Sequence, residues 1–171
     1  MSMNAKDLHR LSLEEFDALT KDDHLTYELV DGIVLMSPSP SFEHQVIGNK
    51  LLFQLNLRLE KTKCQPLYEY DIRTNGDVLK PDAMIFCDDN TELPRIVFEI
   101  ISPTSKYRDL VIKVSKYEQA GIAEYWIADP KSKTVTVHDF ANAETEIYNP
   151  GDTIHSRAVP EIVIAVADIF A

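Results

Sequence analysis

The sequence predicts an α+β (α/β) fold in which strands and helices share one hydrophobic core. The stretch RIVFEIISPTS, from Arg95 to Ser105, is apolar on both faces, which is typical of a central strand buried on both sides. The stretch from Phe42 to Lys61 carries leucine or isoleucine at every fourth position, which predicts an amphipathic helix. The 171 residues suffice for one domain, 1–171, with a sizeable core.

The patterns place the remaining elements in chain order. Helices are predicted over 7–19 (or from Ser12), 42–61 and 105–120, and strands over 27–36, 65–73, 83–87, 95–101 (ended by Ser102-Pro103), 124–128, 133–140, 143–148 and, with a final turn, in the tail 161–170.

Local signals justify these bounds. Ser12 followed by Glu15 forms a capping box, and the pair Asp31-Gly32 predicts a hairpin turn inside 27–36. Ser39 or Ser41 is the predicted N-cap of the helix 42–61, whose buried stripe is Ile47, Leu51, Leu55 and Leu59. Gly121 is the predicted end of the helix 105–120.

Composition excludes several classes of protein. Hydrophobic residues make up 44% and charged residues 26% of the chain, as in globular proteins. No apolar run has the length of a membrane span and no signal peptide is evident, so a cytoplasmic location is expected. Cys64 and Cys87 form no CxxC, which predicts neither a zinc site nor a disulfide framework. The net charge of −11 argues against non-specific binding of polyanions by the whole surface.

Acidic residues on apolar strands are the candidate functional groups. Glu99 lies inside the predicted central strand, Asp82 lies at the mouth of the strand 83–87, and Glu28 lies early in 27–36. A carboxylate in such a place is costly without a partner, a metal ion or a raised pKa. Two carboxylates on adjacent strands suit a hard divalent cation such as Mg²⁺, whereas a structural ion pair for Glu99 and a solvated strand-edge position for Glu28 are the alternatives.

Two further residues are candidates from helical periodicity. Lys113 lies beside the apolar stripe of the helix 105–120 and is best placed to reach a site on the sheet; the alternative is an exposed pair with Asp109. His44 points along the buried face of the helix 42–61, and its alternative is a partly buried histidine bonded to the backbone.

The same residues carry a resemblance. Pro81-Asp82 followed by Glu99 resembles the PD-(D/E)XK nuclease motif, and the chain as a whole is similar to the Uma2 family of restriction-endonuclease-like proteins. The matching segments are YELVDG (27–32), SPSPSFEH (37–44), KPDAMIF (80–86), FEIISPTS (98–105), RDLVIKVSKYEQAGIAEYWIADP (108–130) and IAVADIF (164–170).

The resemblance implies a restriction-endonuclease-like core of mixed β-sheet flanked by helices and Mg²⁺-dependent cleavage of phosphodiester bonds in DNA, with Mn²⁺ as an alternative ion. It assigns metal binding to Asp82, Glu99 and the carbonyl of Ile100. Glu28 would complete the acidic cluster, and His44 would contact a metal-bound water or the phosphate.

One position departs from the broader nuclease pattern. The lysine expected two residues after Glu99 is Ile101 in this chain. In Uma2-like sequences the lysine lies on the following helix, four residues before Tyr117. That residue is Lys113, which periodicity also selects, and the resemblance therefore predicts that Lys113 assists catalysis.

Other functions stay open at this point. A catalytically inactive module with the same fold, acting in binding or assembly, is favoured by the acidic composition. A carbohydrate or ester hydrolase could use Glu28 and Glu99, but clustered exposed aromatic residues are not evident, and no GxSxG motif supports a serine hydrolase. A homodimer or higher homo-oligomer is expected, because two symmetric sites suit cleavage of both strands of a duplex.

Overall fold

The computed structural model describes residues 10–19, 21–22, 24–88, 92–102 and 111–170. Its elements are α1 (Leu13–Asp17), β1 (Leu25–Val30), β2 (Ile33–Pro38), α2 (Phe42–Leu59), β3 (Cys64–Tyr68), β4 (Ile72–Thr74), β5 (Asp77–Leu79), β6 (Ala83–Cys87), β7 (Ile96–Ile100), α3 (Lys113–Ala120), β8 (Glu124–Asp129), β9 (Thr134–Asp139), β10 (Glu144–Tyr148), β11 (Thr153–His155), β12 (Val163–Ala165) and α4 (Val166–Phe170). None of the helices in these residues has the length and apolar character that crossing a membrane requires.

The chain divides into two compact units, residues 1–39 with 71–80 and residues 40–70 with 81–171. The prediction of one domain over 1–171 is not decided by this division and stays a prediction.

The first unit contains a four-stranded sheet in the order β2-β1-β5-β4. The predicted capping box forms at the start of α1, where Ser12 and Glu15 exchange side-chain-to-backbone hydrogen bonds. The predicted hairpin joins β1 and β2, and Asp31 and Gly32 both have positive φ, 51° and 75°, as a two-residue hairpin turn requires. A Cβ atom at Gly32 would lie 2.6 Å from the Cβ of Arg10, so the turn also needs a glycine for space.

The second unit contains a six-stranded sheet in the order β10-β9-β8-β7-β6-β3. β7 pairs parallel with β8, and the other neighbours pair antiparallel. The sheet is therefore mixed, and β7 is an interior strand with every residue buried, as its apolar pattern predicts. A small sheet of β11 and β12 precedes α4.

The two faces of the six-stranded sheet receive different helices. The predicted stripe of α2 is buried in one core with Phe98 and Trp126, whose rings pack edge to face with centroids 5.1 Å apart. Residues of a strand alternate between faces, so Glu99 and Tyr125 belong to the opposite face, where Tyr125 packs against Tyr117 of α3. The predicted α+β class with a mixed sheet flanked by helices is confirmed.

Helix ends follow their local chemistry. Ser41, one of the two predicted caps, accepts a hydrogen bond from the backbone N–H of His44 at the start of α2. Gly121 ends α3 with φ 87°, as predicted, because a left-handed residue is easiest for glycine. The first part of the predicted helix 105–120 lies outside the described residues, as does the part of 7–19 before residue 10.

Two predicted strands are wrong in part. The stretch 65–73 is two strands, β3 and β4, in different sheets, because the chain turns at Glu69, where φ is 49°. The tail 161–170 contains the predicted short strand, β12, but ends in the helix α4 rather than in a turn.

The expectation of no disulfide framework overlooked one disulfide. Cys64 and Cys87 are direct partners in the antiparallel pair β3–β6 and form a disulfide with their Cα atoms 4.0 Å apart. The spacing of cysteines along the chain carries no information on this pairing, because strand register decides which residues lie opposite each other.

Reducing this disulfide is expected to lower the free energy of unfolding by about 2–4 kcal/mol, since the bridge restricts the unfolded chain across a separation of 23 residues. Denaturant unfolding with and without a reductant measures the change, and Cys64→Ser should reproduce it without a reductant. An unchanged midpoint after both thiols have been titrated as free would contradict the expectation.

Candidate active site

Glu99 is buried on β7 and is held by two donors from one helix. Lys113 Nζ donates to Glu99 Oε1 at 2.5 Å, and Tyr117 Oη donates to the same oxygen at 3.0 Å. Lys113 and Tyr117 are four residues apart on α3, so they lie on one helix face. Glu99 and Lys113 are 5% and 4% exposed, which makes this a buried ion pair rather than the exposed pair considered from sequence.

Asp82 lies directly before β6 and binds the backbone of β7. Its Oδ2 accepts a hydrogen bond from the N–H of Ile100 at 2.6 Å and lies 3.1 Å from His44 Nε2. The side chains of His44 and Asp82 are 11% and 15% exposed. Asp82 is thus fixed to the residue that follows Glu99 in the chain, and β7 connects the two predicted carboxylates through consecutive residues.

The electrostatic surroundings of His44 favour its protonated form. Burial opposes protonation, but the hydrogen bond and charge of Asp82, the charge of Glu69 and the backbone of Ile100 outweigh it, so the pKa of His44 is raised above its usual value. The neighbouring Tyr68 behaves as a neutral phenol, since burial and the charges of Asp82 and Glu69 raise its pKa to about 12.

The other ring nitrogen of His44 finds no hydrogen-bond partner among the described residues. Its Nδ1 is buried and unpaired in the part of the chain that the structure describes. An unpaired buried polar atom is costly and indicates a place for a water molecule or a ligand.

Glu28 belongs to the first unit and is buried on β1 with 4% exposure. One of its carboxylate oxygens accepts a hydrogen bond from the backbone N–H of Lys80 at 2.9 Å. β1 is an interior strand of its sheet, so the alternative of a solvated strand-edge acid is wrong. Its predicted place in the acidic cluster stays a prediction.

The donor chemistry fits a hard divalent cation. Asp82 and Glu99 provide carboxylates and Ile100 a carbonyl, which are the oxygen ligands that Mg²⁺ and Mn²⁺ prefer. Among the described residues no group of three or more His, Cys, Asp or Glu side chains is arranged to hold a metal ion. Mg²⁺ commonly uses only one or two carboxylates together with water and substrate phosphates, so metal binding by Asp82 and Glu99 stays a prediction.

Sequence analysis missed two contributors to this region. The sequence pattern places Tyr117 on the apolar side of its helix, yet its hydroxyl donates a hydrogen bond to Glu99. Tyr117 lies four residues after Lys113, and this spacing could have indicated that both side chains reach the same site. Glu69 lies at the turn after β3, where its N–H donates to the carbonyl of Asp82 at 3.1 Å. The antiparallel register of β3 with β6, in which Tyr68 lies opposite Ala83, brings Glu69 next to Asp82, and the sequence alone does not show that register.

Known proteins share the fold and the family of this chain. The fold is similar to that in the crystal structure of a "putative nuclease belonging to DUF820" from Anabaena variabilis ATCC 29413, with a TM-score of 0.81, 20% sequence identity, and coverage of 94% of this chain and 97% of that chain. Residues 13–167 match the model of the Uma2 family, described as "putative restriction endonuclease", and the chain belongs to this family. Among curated proteins, none matches the chain.

A pH dependence follows from the raised pKa of His44. Its folded pKa lies above the unfolded value of about 6.5, so the stabilisation is fully present below that value and is lost as the pH rises through the folded pKa. Thermal unfolding of the wild type and His44→Gln from about pH 6 to pH 9 should show a wild-type advantage that shrinks toward high pH. A difference that stays constant across the range would contradict this assignment.

Proposed function

We propose that this protein is a metal-dependent endonuclease that hydrolyses phosphodiester bonds in DNA. The observation that carries the proposal is the arrangement on β7, where the buried Glu99 bonds Lys113 and the adjacent Ile100 bonds Asp82. Membership of the Uma2 family supports the same class of reaction.

Asp82, Glu99 and the carbonyl of Ile100 would hold Mg²⁺, or Mn²⁺ in its place. When bound, the ion supplies a lowered pKa for a coordinated water and neutralises charge on a phosphate oxygen. The hydrogen bond from the N–H of Ile100 keeps the Asp82 carboxylate in one orientation, and such preorganisation spares the cost of ordering it during the reaction.

Lys113 takes the role that a lysine on the strand would have. Its Nζ is fixed on Glu99 Oε1, and the ammonium group orients the attacking water and stabilises the charge that develops on the phosphate. Tyr117 donates to the same oxygen and thereby limits how the Glu99 carboxylate can rotate.

His44 would assist from beside Asp82, where its Nε2 contacts the same oxygen, Oδ2, that accepts the hydrogen bond from Ile100 N–H. Its raised pKa favours an imidazolium, which can donate a charge-assisted hydrogen bond to a phosphate oxygen. Glu28 would complete the acidic cluster, a role that the resemblance to the Uma2 family predicts.

Titration of Mg²⁺ and Mn²⁺ into the wild type and Asp82→Ala, with and without a DNA duplex, tests the metal site. We expect heat of binding for the wild type, strengthened by the duplex because substrate phosphates complete Mg²⁺ sites, and its loss in Asp82→Ala. Glu146→Ala, which removes an exposed acid on β10, is the control and should bind as the wild type does.

The opposite result favours the inactive module. If the wild type gives no binding even with the duplex present, or if Asp82→Ala binds as well as the wild type, the proposed metal site is wrong. Binding or assembly without catalysis then becomes the better account of the protein's function, and the net charge of −11 favours it because contact with DNA draws on lysine and arginine.

A further inference from the structure

The helix α2 has a second apolar face besides the one in the core. Phe53 and Leu57 are 64% and 59% exposed, although the buried stripe of the same helix packs on the sheet. A third side of α2 packs on α4, and Arg58 there donates to the carbonyl of Val163. The face with Phe53 and Leu57 is therefore the outer face of the helix within this unit.

The outer face has the spacing of a coiled-coil seam. Lys50, Phe53, Leu57 and Glu60 follow one another at intervals of three, four and three residues, the a-d-a-d pattern of a heptad. Glu60 is the C-cap of α2 and keeps helical angles, φ −50° and ψ −34°, so all four positions share one helical stripe. These four residues are called the outer stripe below.

The outer stripe is complementary to itself when reversed. Inverting the helix about Leu55 exchanges residue 53 with 57 and residue 50 with 60. Phe53 then lies opposite Leu57, and Lys50 lies opposite Glu60, each pair occurring twice. An antiparallel coiled coil pairs a positions with d positions in this manner, and a two-fold interface requires such self-complementarity.

We propose that α2 pairs antiparallel with α2 of a second copy of this chain, centred at Leu55, and that this pairing forms a homodimer. Two inner layers join Phe53 with Leu57 of the other copy, and two outer layers join Lys50 with Glu60. The charges select the second copy as occupant, because the highly acidic chain, with a net charge of −11, repels itself elsewhere, whereas this seam presents one cation and one anion at matching positions.

The pairing is short, and this sets the expected strength. Eleven residues, 50 to 60, span about 16 Å of helix. A seam of this length buries less surface than a standard interface, which buries about 800 Å² per partner. We therefore expect a dimer that dissociates in the micromolar range. The inference does not depend on nuclease activity, and its test uses none.

Sedimentation velocity of the full chain over about 1–100 µM measures the dimer. Phe53→Ala and Leu57→Ala should each raise the dissociation constant by about 10-fold or more. Phe42→Ala is the matched control: Phe42 is 86% exposed on the same helix but lies outside the four layers, so its loss should leave the dissociation constant unchanged.

Charge reversal tests the register itself. Lys50→Glu and Glu60→Lys should each weaken the dimer by about 10-fold, because each places like charges together twice, and the double variant Lys50→Glu/Glu60→Lys should restore wild-type association. Phe53, Leu57 and Glu60 are exposed and Lys50 is half-buried, and circular dichroism verifies that the variants fold.

Three results would overturn the proposal. A wild type that is monomeric throughout the concentration range excludes the dimer. A dimer that is indifferent to Phe53→Ala and Leu57→Ala uses another surface. A double charge variant that associates no better than the single variants contradicts the antiparallel register about Leu55.

Discussion

Replacing Lys113 by methionine is expected to destabilise the protein by about 3–5 kcal/mol, because it removes one partner of a buried ion pair and leaves the other charge in the interior. Lys113 Nζ is 2.5 Å from Glu99 Oε1, and both side chains are almost fully buried. Methionine keeps nearly the length and apolar body of lysine, so the lost charge rather than a cavity dominates the change. Denaturant unfolding measures it.

A double variant separates the ion pair from general damage to α3. Lys113→Met/Glu99→Gln removes both charges, and a neutral pair is often as stable as a buried ion pair, so most of the lost stability should return. Lys131→Met, at an exposed turn after β8, is the control and should change stability by less than about 0.5 kcal/mol. A double variant as unstable as Lys113→Met would show that the ion pair is not the cause.

Replacing Asp82 by asparagine should lower the rate of metal-dependent DNA cleavage by on the order of 1,000-fold. Asparagine keeps an oxygen that can accept the hydrogen bond from Ile100 N–H but loses the charge that would hold Mg²⁺. The fold should remain, and unfolding curves verify this. Cleavage of plasmid DNA at several Mg²⁺ concentrations gives the rates.

Asp88 provides a matched control for this change. It follows β6 as Asp82 precedes it, and its side chain is 69% exposed, so Asp88→Asn should cleave at the wild-type rate. Equal rates for Asp82→Asn and the wild type would remove Asp82 from the proposed site. An equal loss for both variants would point to the net charge of the protein instead.

The elements that are predicted correctly from sequence depend on patterns of neighbouring residues. β7 has no polar position except Glu99, and α2 repeats its apolar residues every four positions. Each pattern determines which face of the element is buried. The turn at Asp31-Gly32 and the end of α3 at Gly121 depend on glycine at positive φ, which is also a local property.

The features that sequence analysis predicts wrongly depend on strand register or on a single backbone angle. The Cys64–Cys87 disulfide needs β3 and β6 to align in one register, and only tertiary structure supplies that register. Likewise, the chain turns at Glu69, which has positive φ, and the predicted strand 65–73 is divided there into β3 and β4. A glutamate gives no warning of such a turn, since glycine and asparagine are its usual residues.

Two buried glutamates show how far the hydrogen-bond partners of a buried acid can be predicted from sequence. Glu99 and Glu124 both lie on apolar strands, and both are buried. Glu124 receives hydrogen bonds from the N–H groups of Arg157 and Ala158 and from the side chains of Trp126 and Ser156, so it anchors the chain before β12. Glu99 instead binds the ammonium of Lys113. Periodicity predicted Lys113 but could not predict the donors of Glu124, which are distant in sequence.

The most direct test of the central proposal is incubation of the purified wild type with supercoiled plasmid, single-stranded DNA and RNA, each with Mg²⁺, with Mn²⁺ and with a chelator. The proposal predicts nicking or linearisation of the plasmid that requires the metal ion and stops with the chelator. Intact plasmid under all metal conditions, or cleavage that continues in the chelator, would contradict a metal-dependent DNA endonuclease at Asp82 and Glu99.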